Sequence, residues 1–469
     1  MDEISVTSGT VKTGDFTAKK LTLTGNSSIV GINDATPIIS ADTVDVSDVS
    51  KLSGVVLKGA SGDTVTVTKN GGALTAEEFA TVRKSVDPSA KVTATVDGKT
   101  VTESGLNGVK TPAADAEKEE LAAIEKAAAD PFANALPSAS EIDTKVAAWA
   151  ADAKAAGEDF DTAKAKQELR NAVVQAAKPL AAASLTGARS GMVVSDLATQ
   201  SVTDRTSDLR DGAPASAVAN KAGEESVWFS VKHSDMDVDD SNDYGKSKVK
   251  LTAYTLGYDM QTSPEDFFGV YIGSTTGHAD FNARVSGQID VKDAVHGGVY
   301  GTHLLGNGQY LDYQLGGSTF DNKYRGKKWS TNTHGVMFGY GLKTKSSDQL
   351  TVNPYIRFKY DHISVGDAEF ANKVTSDAVN AWSTKLGVNF QYTSGLYAGL
   401  AYSRGLSGSY DTYVNGVAMP TSDFDANVFY LNLGYRGWIS PTTEFNVNAE
   451  KTFCDYDGWS ALGRFDFHF

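Results

Sequence analysis

The chain has 469 residues, with 43 Lys and Arg against 58 Asp and Glu, for a formal net charge of −15. That balance argues against nucleic acid as a partner, and a single cysteine, Cys454, excludes an internal disulfide and a cysteine-built metal cage. Mean hydropathy is −0.27, and no run approaches the ~20 apolar residues that a spanning helix needs. Spanning strands escape such a scan, because only every second residue of a strand faces lipid. The start, Met1-Asp2-Glu3, carries neither a basic nor an apolar stretch, so no secretory signal is read there and a mature or truncated form is expected.

Residues 1–110 are rich in Thr, Val, Gly, Ser and Asp, and short alternating apolar pairs recur at Ile4/Val6, Leu21/Leu23, Val44/Val46 and Val65/Val67. Turn signals such as Gly25-Asn26 and Asn70-Gly71 fall between them. A period of roughly 20 residues predicts coils of a β-solenoid, with a small β-sandwich as the alternative. From residue 111 to 190 the composition shifts to Ala, Glu, Lys and Asp. Leu121 and Ile124, then Ile142, Val146 and Trp149, then Leu169 and Val173 recur at helical spacing, with Ser140 as a candidate cap. Pro131, Pro137 and Gly157 break the stretch into about three helices, read as a solvated spacer.

From about residue 225 to the end the period is two. Val352, Pro354, Ile356, Phe358 and Tyr360 oppose Asn353, Tyr355, Arg357, Lys359 and Asp361, and Phe445, Val447 and Ala449 oppose Glu444, Asn446, Asn448 and Glu450. Soluble strands rarely keep Arg, Lys, Glu and Asn on an interior face through so many repeats, whereas a barrel with a wet lumen and a lipid-facing wall does. Twelve such segments begin near Glu225, Ser247, Asp266, Gln288, Gly308, Asn332, Leu350, Ala381, Gly395, Ala426, Thr442 and Gly458. Short connections at 346–348, 393–395 and 440–442 alternate with long polar ones expected at 235–246, 316–331, 364–380 and 405–425. That asymmetry matches short periplasmic turns and long outer loops. The chain ends on Phe465, Phe467 and Phe469 at alternate positions, with Arg464, Asp466 and His468 on the other parity.

Just before the barrel, residues 195–212 read as a polar helix ending at Gly212, with Pro214 beyond. Fifteen or so helical residues span roughly 23 Å, close to the ~25 Å apolar height of a barrel wall. A charged helix that cannot face lipid can occupy a polar lumen. Here the chain resembles the translocator domain of the type Va autotransporters, of the type V secretion family. Arg205-Thr206-Ser207-Asp208-Leu209-Arg210-Asp211 resembles the Arg-x-x-Asp-Leu-Arg-Asp run at the end of that family's pore helix, Trp228-Phe229-Ser230-Val231-Lys232 its first strand, Leu256-Gly257-Tyr258-Asp259 its second, and Phe469 its terminal aromatic. The resemblance covers 195–469.

It implies a twelve-stranded antiparallel transmembrane β-barrel at 215–469, a pore-spanning helix at 191–214 carrying Arg205, Asp208, Leu209 and Arg210, a helical spacer at 111–190, and a solenoid-like passenger at 1–110. It further implies that Phe465, Phe467 and Phe469 form the assembly signal. Arg205 and Arg210 are expected to pair with lumenal acids, for which strand parity offers Glu444, Glu450 and Asp466. One departure stands out. The protease-toxin branch cuts its passenger free with an Asn upstream of the helix's Arg, and Gln200-Ser201 occupies that place here. The passenger is therefore expected to stay tethered.

No nucleophile elbow, His-Glu-x-x-His motif, Walker loop or dinucleotide fingerprint occurs, and all seven His lie at or beyond His233. No enzyme, cofactor or metal is expected. The acidic run Asp235, Asp237, Asp239, Asp240 and Asp243 lacks the fixed spacing of a calcium loop and reads as an outer loop facing lipopolysaccharide. The sequence thus predicts a mainly β, monomeric outer-membrane autotransporter that displays a nonenzymatic, adhesin-like passenger at the cell surface. Its expected partners are lipid, lipopolysaccharide, the barrel assembly machinery, periplasmic chaperones and a host surface ligand. A porin-like channel with a soluble N-terminal domain and a soluble carbohydrate-binding protein stand as alternatives.

Overall fold

A computed structural model describes residues 1–107, 112–156, 158–211, 225–239 and 244–469. The chain divides into two compact units, Met1–Ala122 with Ile142–Leu169 and Ala123–Glu141 with Arg170–Phe469. Among the described residues no helix is long and apolar enough to cross a membrane.

The first unit is built on parallel strands: β1 (Glu3–Thr13), β2 (Phe16–Gly31), β3 (Ile38–Val46), β4 (Val56–Lys58), β5 (Thr64–Lys69) and β6 (Lys91–Val96), ending in an antiparallel β7 (Lys99–Ser104). Parallel pairing stacks like on like. Ile4 lies beside Leu21, Leu21 beside Val44, and Val44 beside Val67. Leu21, Val44 and Val67 are fully buried in this column. The last register differs from the one the spacing of valine pairs suggests, since Val67 rather than Val65 meets Val44. The reason is the longer connection after β3, which folds a 3-10 turn and β4 inward and buries Leu52 and Leu57.

Helix α1 (Ala76–Arg83) covers the core with Phe79 and Val82. It starts in a reciprocal cap between Thr75 and Glu78, at 3.1 and 2.9 Å. Hydrogen bonds from Lys69 and then from the Thr75 backbone hold the Glu78 carboxyl below its ordinary range. Asp97 and Gly98, both at positive φ, make the tight turn into β7.

Two helices follow, α2 (Pro112–Ala127) and α3 (Ala139–Ala155). Ile142 and Val146 form the buried stripe of α3. Its cap is Ser138 rather than Ser140: the Ser138 hydroxyl accepts from the Glu141 amide at 3.2 Å, and the Glu141 carboxylate accepts from the Ser138 amide at 2.7 Å. Pro131 and Pro137 lie between α2 and α3, while Gly157 is outside the described residues. The boundary expected at 190/191 does not exist. One helix, α4 (Thr162–Asp211), runs for 50 residues through Pro179. Helix propensity in an Ala-rich stretch favours continuation, and the surrounding barrel supplies the packing.

The second unit is a closed antiparallel barrel of twelve strands: β8 (Glu225–Val238), β9 (Ser247–Gln261), β10 (Asp266–Asn282), β11 (Ser286–Gly306), β12 (Gln309–Tyr324), β13 (Lys327–Leu342), β14 (Leu350–Val365), β15 (Val379–Tyr392), β16 (Leu396–Ser407), β17 (Asn427–Ser440), β18 (Thr443–Cys454) and β19 (Tyr456–His468). The two-residue strand Thr344–Lys345 is the thirteenth member of the sheet. β19 closes on β8, with Phe465 beside Phe229 and Phe467 beside Val227. The long outer connection expected at 316–331 is instead paired strand. β12 and β13 meet at Tyr324 and Lys327 around Arg325-Gly326, a two-residue turn with φ of 49° and 78°. Two positive φ values match the right-handed twist of a hairpin, so the ladder continues to the tip. The long connections at that end are 239–246, 366–378 and 408–426. Short strands within the last two pair across them, Lys373–Ser376 with Thr412–Val414.

Candidate functional site in the barrel lumen

Strand alternation sorts the barrel's side chains. Phe268, Val270 and Ile272 of β10 and Phe429, Leu431, Leu433 and Tyr435 of β17 stand exposed on the outer wall. Phe465 and Phe467 join them at 45% and 41% exposure. Phe469 is 78% exposed, and its backbone N–H donates to the Glu225 carbonyl at 3.0 Å. A continuous apolar wall of this kind suits lipid.

The other parity faces inward, where polar groups need partners. α4 supplies them. Its upper part, from Leu180 to Gly191, is buried throughout and is composed of Ala, Gly, Ser and Thr with few large groups. Gly191 lies against Thr331, Thr333 and Ile363, and a Cβ there would come within 2.9 Å of Thr331. Below it, Val193, Val194 and Leu197 pack on Val249, Leu251, Ala279, Val291 and Phe320. Hydroxyls pin this half. Ser184 and Tyr410 are 2.6 Å apart, Thr186 and Ser247 2.9 Å, and Ser195 donates to Asp361 at 2.6 Å.

The lower half is held by charge. Arg205, 1% exposed, makes a two-pronged contact with Asp259, at 2.7 and 2.8 Å, and reaches Asp466 at 3.3 Å. Asp259 also accepts from the Tyr300 hydroxyl at 2.8 Å, and Tyr300 accepts from the Trp228 indole at 2.6 Å. Trp228 lies directly across from Gly257, where a Cβ would sit 2.2 Å from the indole. The glycine is what lets the ring lie flat against the wall and reach Tyr300. Asp208 receives Arg436 at 2.5 Å, Arg464, and the Asn446 amide at 3.2 Å. Arg464 in turn donates to Asp466 at 2.9 Å. Arg210 bonds Asp312 and stacks on Tyr310, 3.9 Å from the ring centre. Lys343 donates to the Arg210 carbonyl at 3.3 Å, placing a cation at the negative end of the helix. Leu209 packs with Ala198, Val202, Trp228, Tyr271 and Tyr300.

The helix fills the lumen unevenly. Its apolar side chains pack against β9–β12, and the larger polar space lies against β14–β18. One polar space is lined by Asp204, Asp208, Lys232, Arg357, Lys385 and Glu450, among others, and a second by Asp196, Lys359, Asp361 and Tyr430, among others.

Arg205, Asp208, Leu209 and Arg210 therefore converge on the lower lumen. Of the three acids chosen by strand parity, Asp466 meets Arg205. Glu444 instead lies 3.3 Å from Arg436, and Glu450 accepts from Gln200 at 3.3 Å. Parity marks a lumenal face but not a height, and these two acids stand beside other partners. Sequence reasoning missed Asp259 and Asp312, although each sits opposite an outward apolar run. Asp235 contacts Lys248 and Lys250 at 3.3 and 3.4 Å, Asp237 contacts Lys248 at 3.5 Å, and Asp239 contacts Lys246 at 2.9 Å. Asp240, Asp243, Gly212 and Pro214 lie outside the described residues.

A family match by sequence agrees with this picture for the barrel. The family model described as "Autotransporter beta-domain" matches residues 227–450. No curated protein matches the chain by sequence. Solved structures with similarity include the β domain of the Bordetella autotransporter BrkA (14% identity, covering 52% of this chain and 98% of that one, TM-score 0.39). The transport unit of AIDA-I from Escherichia coli (13%, 54% and 91%, 0.44) is another. So is the translocator domain of NalP from Neisseria meningitidis (12%, 59% and 98%, 0.42).

Proposed function

We propose, from the premise that the barrel of this chain belongs to the autotransporter β-domain family of outer-membrane proteins, that it exports the residues N-terminal to α4 and anchors them at the bacterial cell surface. The observation that carries this reading is the direction of α4. Its buried stretch begins beside Tyr410 and Trp329, near the mouth that bears the long loops, and ends with Arg210 against Lys343 at the other. Long loops mark the outer side of such barrels, so the chain preceding α4 leaves by the outer mouth. An open porin-like channel is opposed by the helix that occupies the lumen.

The exported part, residues 1–107 with α2 and α3, is proposed to be nonenzymatic and adhesin-like. It contains no His or Cys and no nucleophile motif, and its parallel stack presents a surface rich in Thr, Ser and Lys. Tethering is supported by Gln200-Ser201: the Ser201 hydroxyl is spent on the Leu197 carbonyl at 2.9 Å, and no Asn occurs between 195 and 212 to cyclise. Phe469, at the seam between the last and first strands, is the proposed contact for the assembly machinery, with lipid and lipopolysaccharide covering the outer wall.

The test is an antibody to residues 1–107 applied to intact cells. Surface labelling with a full-length band in the outer membrane is expected. Absence of labelling on intact cells with full-length protein present in the membrane overturns export, and a discrete fragment in the medium cut between 195 and 212 overturns tethering. Adhesin character is checked separately, by binding of labelled cells to host surfaces with and without residues 1–107.

A further inference from the structure

The eleven residues between α2 and α3 play no part in the proposed export, yet they are among the most specifically held in the second unit. Residues 130–138, Asp-Pro-Phe-Ala-Asn-Ala-Leu-Pro-Ser, lie across the outer loops of the barrel. Asn372, 2% exposed, reads their backbone with its side-chain amide: it accepts from the Leu136 amide at 2.7 Å and donates to the Pro131 and Asn134 carbonyls at 2.6 and 2.9 Å. Asn415 donates to the Leu136 carbonyl at 2.8 Å and to Asn372 Oδ1 at 2.8 Å, and its own carbonyl accepts from Ala139 at 3.1 Å. Phe132 enters a pocket of aromatic rings, with centroids 4.9 Å from Tyr324, 5.0 Å from Phe370 and 6.0 Å from Phe281. Arg325, on the β12–β13 hairpin, grips Asp130 at 2.7 and 2.8 Å.

Two features distinguish this from incidental packing. The loops 366–378 and 408–426 are joined by a small sheet of their own, so the platform is built from barrel residues alone. A buried amide such as Asn372 also costs free energy unless its groups are paired, and those pairs come from Pro131, Asn134, Leu136 and Asn415. An irregular segment free in water would need no such reader.

We propose that the outer loops form a peptide-capture site for residues 130–138, which engages them once they emerge from the pore and so holds everything N-terminal to them outside. The occupant is this chain's own segment: an extended peptide with a Phe anchor, an Asp for Arg325 and three backbone groups for Asn372. The capture role rests on the export reading of the previous section. The site itself does not.

The experiment uses the full-length chain in cells, with Asn372→Ala and Phe132→Ala made separately. The second leaves every loop residue intact. Pulse-chase labelling follows two events: heat-modifiable folding of the barrel, and the moment residues 1–107 become accessible to external protease. Both variants are expected to fold the barrel at the wild-type rate and to expose residues 1–107 several-fold more slowly. In detergent, the purified full-length Phe132→Ala protein, its site vacated, is expected to bind a labelled synthetic peptide of residues 128–140. The same protein with Asn372→Ala added is not. Wild-type exposure kinetics in both variants overturn the capture role. Failure of the peptide to bind overturns the site. If residues 1–107 of the unmodified protein never become accessible, it is the export reading that fails, and peptide binding still decides the site.

Discussion

The two halves of the lumenal helix solve one problem in opposite ways. From Leu180 to Leu197 the helix fits by shape. Small side chains lie close to the wall, apolar groups meet β9–β12, hydroxyls take up polar atoms, and the charges at Arg189 and Asp196 meet Ser247 and Lys359. From Ala198 to Arg210 it fits by charge, with Arg205 and Asp208 each paired to residues on two or more strands and Arg210 held by Asp312 and Tyr310 on β12. A shape-fitted half buries little that water wants and tolerates little change in volume. A charge-fitted half tolerates volume, because it borders open polar space, but it cannot lose one member without leaving others uncompensated.

The largest effect therefore belongs to the charged half. Arg205→Ala leaves Asp259 and Asp466 buried beside one another's networks without their shared cation. Breaking a buried pair from one side costs about 3–5 kcal/mol. The expected outcome is a lower unfolding temperature in detergent and, in planar bilayers, a higher and noisier conductance as the helix loosens. Adding Arg210→Ala should raise conductance further, since Asp312 and Tyr310 are a separate anchor. Wild-type melting and conductance in the double variant would show that charge does not hold this half.

The shape-fitted half breaks through volume. Gly191→Leu drives a branched side chain into Thr331, Thr333 and Ile363, where even a Cβ is too close. Overpacking a tight site costs about 1–3 kcal/mol, less than breaking a buried ion pair from one side. A matching Ser201→Ala in the lower half, which removes only a bond to the Leu197 carbonyl within the helix, should cost no more than about 0.5–1.5 kcal/mol. If thermal unfolding ranks Ser201→Ala above Gly191→Leu, the division into shape and charge is wrong.

The same division explains what could be seen in the sequence. Arg205, Asp208 and Arg210 announce themselves, because charges on a helix beside a barrel need a polar place to go. Residues 181–191 do not. Alanine, glycine and serine make a soluble spacer and a buried plug alike, so the helix was expected to enter the lumen at 191, about a dozen residues too late. Strands are legible wherever outward apolar and inward polar residues alternate, and eleven of the twelve starts expected lie within two residues of the observed ones, with β14 and the others fixed by such runs. β13 is the large exception. Its tip, Lys327 to Thr331, carries Lys328 and Ser330 on one face and Trp329 as a lone large apolar group on the other, and that polarity reads as loop. Asn372 and Asn415 were invisible for another reason. They carry no motif, and the segment they hold lies more than two hundred positions away.

The smallest effect is expected where the charged half meets open polar space. Gln200 donates to Glu450 at 3.3 Å, a long contact on the side of the helix lined by Asp204, Lys232, Arg357 and Lys385. Water can replace the amide there, so the carboxylate is not stranded as Asp259 would be. A long amide-to-carboxylate hydrogen bond whose loss is made good by solvent is worth about 1 kcal/mol or less. Gln200→Ala should leave folding and the surface display of residues 1–107 intact, lower the unfolding temperature by no more than a degree or two for a barrel of this size, and widen the polar path slightly. A measurable but small rise in conductance, far below that of Arg205→Ala, is the expected reading. A loss of stability equal to that of Arg205→Ala would mean that the wet side is as tightly built as the apolar one, and that the unevenness of the lumen carries no energetic consequence.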